Sequence, residues 1–152
     1  VVASSASGLQ MLLPAIIFIV AALLAFATGT SWGTFGILIP ICIAVFPATA
    51  PLRIISISAC MAGAVCGDHI SPISDTTIMA SAGAECKHVH HVSSQLPYAM
   101  TVATVSFLTF VVAGFTQQLG VVASAAISWI FGIAMIFSAL WILKRIGSRQ
   151  PH

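Results

Sequence analysis

Apolar residues in this chain gather into four long blocks, residues 9–46, 52–86, 96–114 and 121–143, separated by short polar or proline-containing linkers. A helix that crosses a bilayer takes about 20 mostly apolar residues. Blocks 96–114 and 121–143 are uninterrupted and read as two full transmembrane helices. The first block is too long for one span and is interrupted by "TGTSWGTFG" at residues 28–36. The second runs through "ISISACMAGAVC" into "GDHISPISDTT" at residues 67–77 and resumes as "TIMASAGAEC". The pattern predicts an all-α polytopic membrane protein.

Backbone groups left unpaired in hydrocarbon cost several kcal/mol each, so breaks inside apolar blocks persist only where they are buried or wet. Gly29, Gly33 and Gly36 weaken the first block as continuous helix. Pro72 removes a donor and disfavours helix at Ser71. Residues 9–46 therefore read as a re-entrant helical hairpin with "TGTSWGTFG" at its tip, two complete spans being the alternative. Residues 52–86 read as one discontinuous helix.

Composition fixes the class. The chain is 59% hydrophobic and 5% charged, with a mean hydropathy of +1.11, whereas a soluble domain has roughly a quarter of its residues charged. A net charge of +2 without a basic patch argues against nucleic acid as a partner and leaves the lipid bilayer as the surroundings. Cys42, Cys60, Cys66 and Cys86 stand singly, without CxxC spacing, and read as free thiols. The sequence opens "VVASSASG" without methionine or a signal-peptide flank, and is expected to be a piece of a longer polypeptide that supplies the rest of the site.

Lysine and arginine in short loops set orientation. Lys144, Arg145 and Arg149 place the C-terminus in the cytoplasm. Counting back through two spans places the loop "KHVHHVSSQ", with Lys87, there as well, and the "PATAP" linker outside with Arg53 as the exception. A hairpin puts Val1 outside.

An aspartate at the middle of a membrane helix costs roughly 2.5–3.5 kcal/mol on insertion scales, so Asp68 and Asp75 need a reason. A broken helix ends in free carbonyls and restarts with free amides, each end carrying about half a charge. Carbonyls freed near Cys66 and Gly67, the carboxylates of Asp68 and Asp75, and the hydroxyls of Ser71, Ser74, Thr76 and Thr77 supply the oxygens a hard cation such as sodium takes. Thr28, Thr30, Ser31 and Thr34 at the other break are candidates to complete the shell. Asp75 precedes "TTIMASAGA" and has a second reading as a helix N-cap. Asp68, Asp75 and His69 are the candidate proton carriers. Burial can raise a carboxylate pKa by roughly 3–5 units, so that proton and sodium compete for one acid. Alternate exposure of that acid to the two faces yields antiport.

Other polar clusters carry less. His88, His90 and His91 match no compact zinc signature, and no metal beyond sodium is expected. No cofactor is expected either. Ser71, His69 and Asp68 lie close in sequence but without a nucleophile turn, which argues against an enzyme. Trp32 and Phe35 read as packing at the hairpin tip, Trp129 and Trp141 as facing lipid or its interface.

The strings "GTSWGTFG", "GDHISPISDTT" and "SAGAECKHVHHVSSQLPYA", in this order, resemble the C-terminal half of NhaC-type sodium/proton antiporters over roughly residues 13–99. The resemblance implies one half of an inverted-repeat transporter of the ion-transporter superfamily, completed by an N-terminal half and commonly a homodimer in the bacterial inner membrane. It implies exchange of Na+ for H+. Relatives in that family carry malate and lactate or amino acids, and these motifs do not separate the two. Ile70 stands where the family often has a small residue or cysteine.

Overall fold

A computed structural model describes residues 7–147. Its order is α1 (Ser7–Thr28), α2 (Ser31–Val45), α3 (Pro51–Ile70), α4 (Asp75–Gly83), α5 (His88–Thr116), a 3-10 turn (Gln117–Leu119) and α6 (Val121–Gly147), with no strand among the described residues. Four helices are long and apolar enough to cross a membrane: Gln10–Thr28, Pro51–Ile70, His88–Leu119 and Val121–Arg145. At 1.5 Å per residue, α1 is about 33 Å long and α2 about 22 Å.

α1 stops at Gly29, whose φ of 67° is the left-handed conformation that glycine adopts without strain, and whose N–H donates to the Ala25 carbonyl at 2.8 Å. α2 restarts at once, because Thr30 is extended and its hydroxyl accepts from the Gly33 N–H. The first break is therefore only Gly29 and Thr30, not the whole of residues 28–36. Gly33 and Gly36 lie inside α2, where each costs only about 1 kcal/mol. Trp32, read as packing the tip, is 82% exposed; its ring meets Phe35 edge-on, and Phe35 alone packs against the core.

α1 and α3 lie side by side and parallel. Gly63 faces the Phe18 carbonyl, Gly67 faces the Ala22 carbonyl, and the Ser71 hydroxyl donates to the Phe26 carbonyl, each pair separated by 45 residues. Small residues permit this close approach, which is how helices pack where lipid removes the hydrophobic drive. The contact also includes Ala21, Ala25, Cys60 and Ala64, all fully buried. Since α3 runs as α1 does, α2 must carry the chain back to the face from which α1 started. Cys42 and Phe46 bury against the same cluster on the way. Both ends of the α1–α2 pair thus lie on one face, an arrangement common to a re-entrant hairpin and to two complete spans.

α5 runs against α1 in the opposite sense, with Gly114 on the Met11 carbonyl and Phe110 stacked 5.6 Å from Phe18. α6 returns beside α5: Ser124 donates to the Ala113 carbonyl and meets the Thr116 hydroxyl at 2.8 Å, and Gly132 faces Thr109. Two expectations change here. "KHVHHVSSQ" is not a loop, since His88 to Gln95 form the first turns of α5. α3 continues as helix to Ile70, so its unpaired carbonyls belong to residues 67–70 and not to Cys66. At the C-terminus Arg145 lies over the Trp141 ring at 5.2 Å; Arg149 lies outside the described residues.

A Cβ at position 67 would collide with the Ala22 backbone, which cannot give way as a side chain can. Gly67→Val is expected to lose about 2 kcal/mol or more by overpacking, read as a lower thermal midpoint of the detergent-solubilised protein. Gly36→Ala, at a site with open space, should leave that midpoint unchanged or raise it.

Candidate functional site

The second break, residues 71–74, is held in place by the first. Ser71 is extended, its N–H donates to the Asp68 carbonyl at 3.1 Å, and its fully buried hydroxyl reaches across to the Phe26 carbonyl at 2.8 Å. Phe26 lies in the last turn of α1, where carbonyls lack helical partners. On the other side of the contact a Cβ added at Gly29 would sit 2.9 Å from the Ile73 carbonyl oxygen. Glycine is thus required at position 29 both for its φ and for the closeness of the second break.

Asp68 sits in the last turn of α3 and is 5% exposed. Its Oδ1 accepts a 2.6 Å hydrogen bond from the fully buried Ser74 hydroxyl, and the Ser74 oxygen lies 2.7 Å from the Thr76 hydroxyl. Charge-assisted hydrogen bonds of this kind contribute roughly 1.5–3 kcal/mol, less than the desolvation of a full charge. No lysine or arginine pairs with Asp68 among the described residues. The C-terminal end of α3 adds partial negative charge beside it, while the start of α4 adds partial positive charge.

The remaining expected ligands separate into two groups. Thr77, 2% exposed, donates to the His69 carbonyl at 3.1 Å, and Ser71 is spent on Phe26. Thr30 is spent as the α2 cap, Thr34 donates to the Thr30 carbonyl at 2.9 Å, Thr28 to the Leu24 carbonyl, and Ser31 is buried in the first turn of α2. These hydroxyls build the break pair. Asp75 is exposed at the first position of α4, and its carboxylate accepts the Thr76 N–H at 2.8 Å. The N-cap position belongs to Ser74, so Asp75 serves the helix start as a first-turn acid instead. The structure does not bring Asp75 to Asp68. The His69 ring is exposed, with Nδ1 donating to the Val65 carbonyl of its own helix.

Two residues that the sequence analysis gave no place at this site complete it. Gln95 Nε2 donates to the His69 carbonyl at 2.7 Å, and His88 Nε2 donates to the Pro72 carbonyl at 2.7 Å while its Nδ1 lies 3.1 Å from the Ser81 hydroxyl. Both cover carbonyls that the break leaves open. They lie two turns apart on one face of α5, a spacing legible in the sequence once that stretch is taken as helix. His88, His90 and His91 form no metal-binding group among the described residues.

Long apolar helices around a pair of touching breaks, one of them holding a buried acid, are the build of an integral membrane protein. The model of the Na+/H+ antiporter family matches residues 1–115, and the chain belongs to that family. It is 57% identical over 107 residues to an uncharacterized protein of Haemophilus influenzae, covering 70% of this chain and 21% of that protein. It is 33% identical over 113 residues to a malate-2H(+)/Na(+)-lactate antiporter of Bacillus subtilis (71% and 24%). It is 32% identical over 117 residues to an arginine/ornithine antiporter of Halobacterium salinarum (74% and 24%). The chain spans about a quarter of the length of these relatives. No solved structure matches it. The named relatives are transporters and not enzymes.

Removing the Ser71 hydroxyl unties the two breaks. Ser71→Ala should cost about 1–3 kcal/mol, since it leaves the part-buried Phe26 carbonyl without its donor, and the drop in thermal midpoint should be absent in Thr28→Ala, whose hydroxyl bonds only within its own region of the chain.

Proposed function

We propose that this chain forms the C-terminal part of the transport site of a Na+/H+ antiporter, with Asp68 as the acid that sodium and proton occupy in turn. One observation carries the reading: a carboxylate buried at a helix break has one hydroxyl donor and, among the described residues, no cationic side chain. A proton or a cation at such a group supplies the positive charge that the neighbouring side chains do not. Sodium takes oxygen ligands, and the Asp68 carboxylate, the Ser74 oxygen and the carbonyls at the end of α3 are oxygen donors in one place. Binding of one occupant excludes the other.

In this reading α1–α2 is a re-entrant hairpin whose tip meets the broken α3–α4 helix inside the bilayer. The geometry that supports it is the contact of the two breaks at Gly29 and Ile73. An N-terminal half of the transporter supplies the matching repeat, copies pair as homodimers, and the C-terminus with Lys144 and Arg145 faces the cytoplasm of a bacterial inner membrane. No step requires a cofactor.

A second reading is favoured by the names of two relatives, a malate-2H(+)/Na(+)-lactate antiporter and an arginine/ornithine antiporter. Here the same acid couples sodium or protons to an organic acid or amino acid, held by open backbone amides and hydroxyls at the breaks.

In membrane vesicles carrying the complete transporter, Asp68→Asn should lower sodium-driven proton movement by roughly a hundredfold or more, while Asp75→Asn keeps most of it. Wild-type activity in Asp68→Asn would remove Asp68 from the mechanism. Proton movement that occurs only when malate, lactate, arginine or ornithine is added would select the second reading.

A further inference from the structure

A hydroxyl has one hydrogen to give, and an ionised carboxylate only accepts. Ser74 lies 2.6 Å from Asp68 Oδ1 and 2.7 Å from Thr76 Oγ1. Its hydrogen is committed to Asp68, so the contact with Thr76 is made by the Thr76 hydrogen. All donors in this chain of three groups point inward, toward the acid. The chain also crosses from inside to outside: Asp68 is 5% and Ser74 0% exposed, whereas Thr76 lies on the face of α4 that this chain leaves open.

We infer that Ser74 and Thr76 are the proton path to Asp68, with Thr76 as its entrance rather than a ligand of the cation. This rests on the reading of Asp68 as the exchanged acid. A hydronium at the open face transfers a proton to the Thr76 oxygen; the Thr76 hydrogen passes to the Ser74 oxygen, and the Ser74 hydrogen to Asp68 Oδ1. Each O–H bond broken is matched by one formed, leaving water at the entrance and a neutral acid inside. Rotation of the two hydroxyls resets the path, and when sodium arrives at the acid the proton leaves by the reverse sequence.

The surrounding titratable groups fit this direction. Asp75 stands at the entrance with its Oδ1 on the Thr76 N–H, a negative charge that gathers protons at the mouth. The His69 and His88 rings are tied to the Val65 and Pro72 carbonyls, so neither imidazole lies on the route from Thr76 to Asp68.

The test uses the complete transporter in proteoliposomes and two readings of one preparation: sodium-driven proton movement, and exchange of radioactive sodium for sodium, which moves no proton. Thr76→Val keeps the side-chain volume and removes the hydroxyl. It should slow the first roughly tenfold to a hundredfold and leave the second within about twofold, and Thr76→Ser should restore proton movement. Proton movement at the wild-type rate in Thr76→Val would overturn the relay. Equal loss of both readings in Thr76→Val would overturn it too, making Thr76 a ligand or a structural residue. Failure of the wild-type protein to move protons at all would overturn the exchange reading itself, and the relay with it.

Discussion

A carboxylate confined where two helices break, with a single hydroxyl to hold it, is the constraint around which the rest of this structure is arranged. Among the described residues no cationic side chain accompanies Asp68, only the Ser74 hydroxyl and the partial positive charge at the start of α4. The neighbouring architecture makes this confinement rigid. Gly63 and Gly67 let α3 lie on the α1 backbone, Ser71 ties the second break to the end of α1, and Gly29 gives the first break room to close on Ile73. The acid immediately follows the second of those glycines, in the last turn of α3.

The division of labour among the polar residues follows from that. Ser71, Thr77, Gln95 and His88 satisfy backbone carbonyls opened by the break, and Thr30 caps the helix that restarts. Unpaired carbonyls in an apolar setting cost several kcal/mol, so most of the hydroxyl-rich motif maintains the break itself. Among the described residues, Ser74 is the one that hydrogen-bonds the acid's carboxylate, and Thr76 meets the Ser74 hydroxyl from the open face.

Much of this was legible in the sequence, because glycine, proline and aspartate inside apolar blocks act through local chemistry. The helical class, the existence of both breaks and the free thiols came from such signals. What was not legible depends on which way a side chain turns in the packed state. Asp68 and Asp75 belong to one motif and look alike as letters; the α1–α3 interface buries one and leaves the other on an open face. The 45-residue register of that interface has no local signature. "KHVHHVSSQ" was read as loop because its composition is polar, yet His88 and Gln95 are needed as helical donors to carbonyls that only the folded break exposes. The extent of the first break was overestimated because a threonine cap lets helix resume beside glycines.

The family match ends at residue 115, within the last turns of α5, so it contains the break pair and the helix that covers it, while α6 lies beyond. The relatives named for different solutes match 71% and 74% of the chain. The central claim, that one buried acid is shared between sodium and a proton, is tested most directly by calorimetric titration of the purified complete transporter with sodium, in buffers of different ionisation enthalpy. Sodium binding that releases a proton in the wild type, with both binding and release lost in Asp68→Asn, is the result this account predicts. Sodium binding without proton release, or undiminished binding in Asp68→Asn, would contradict it.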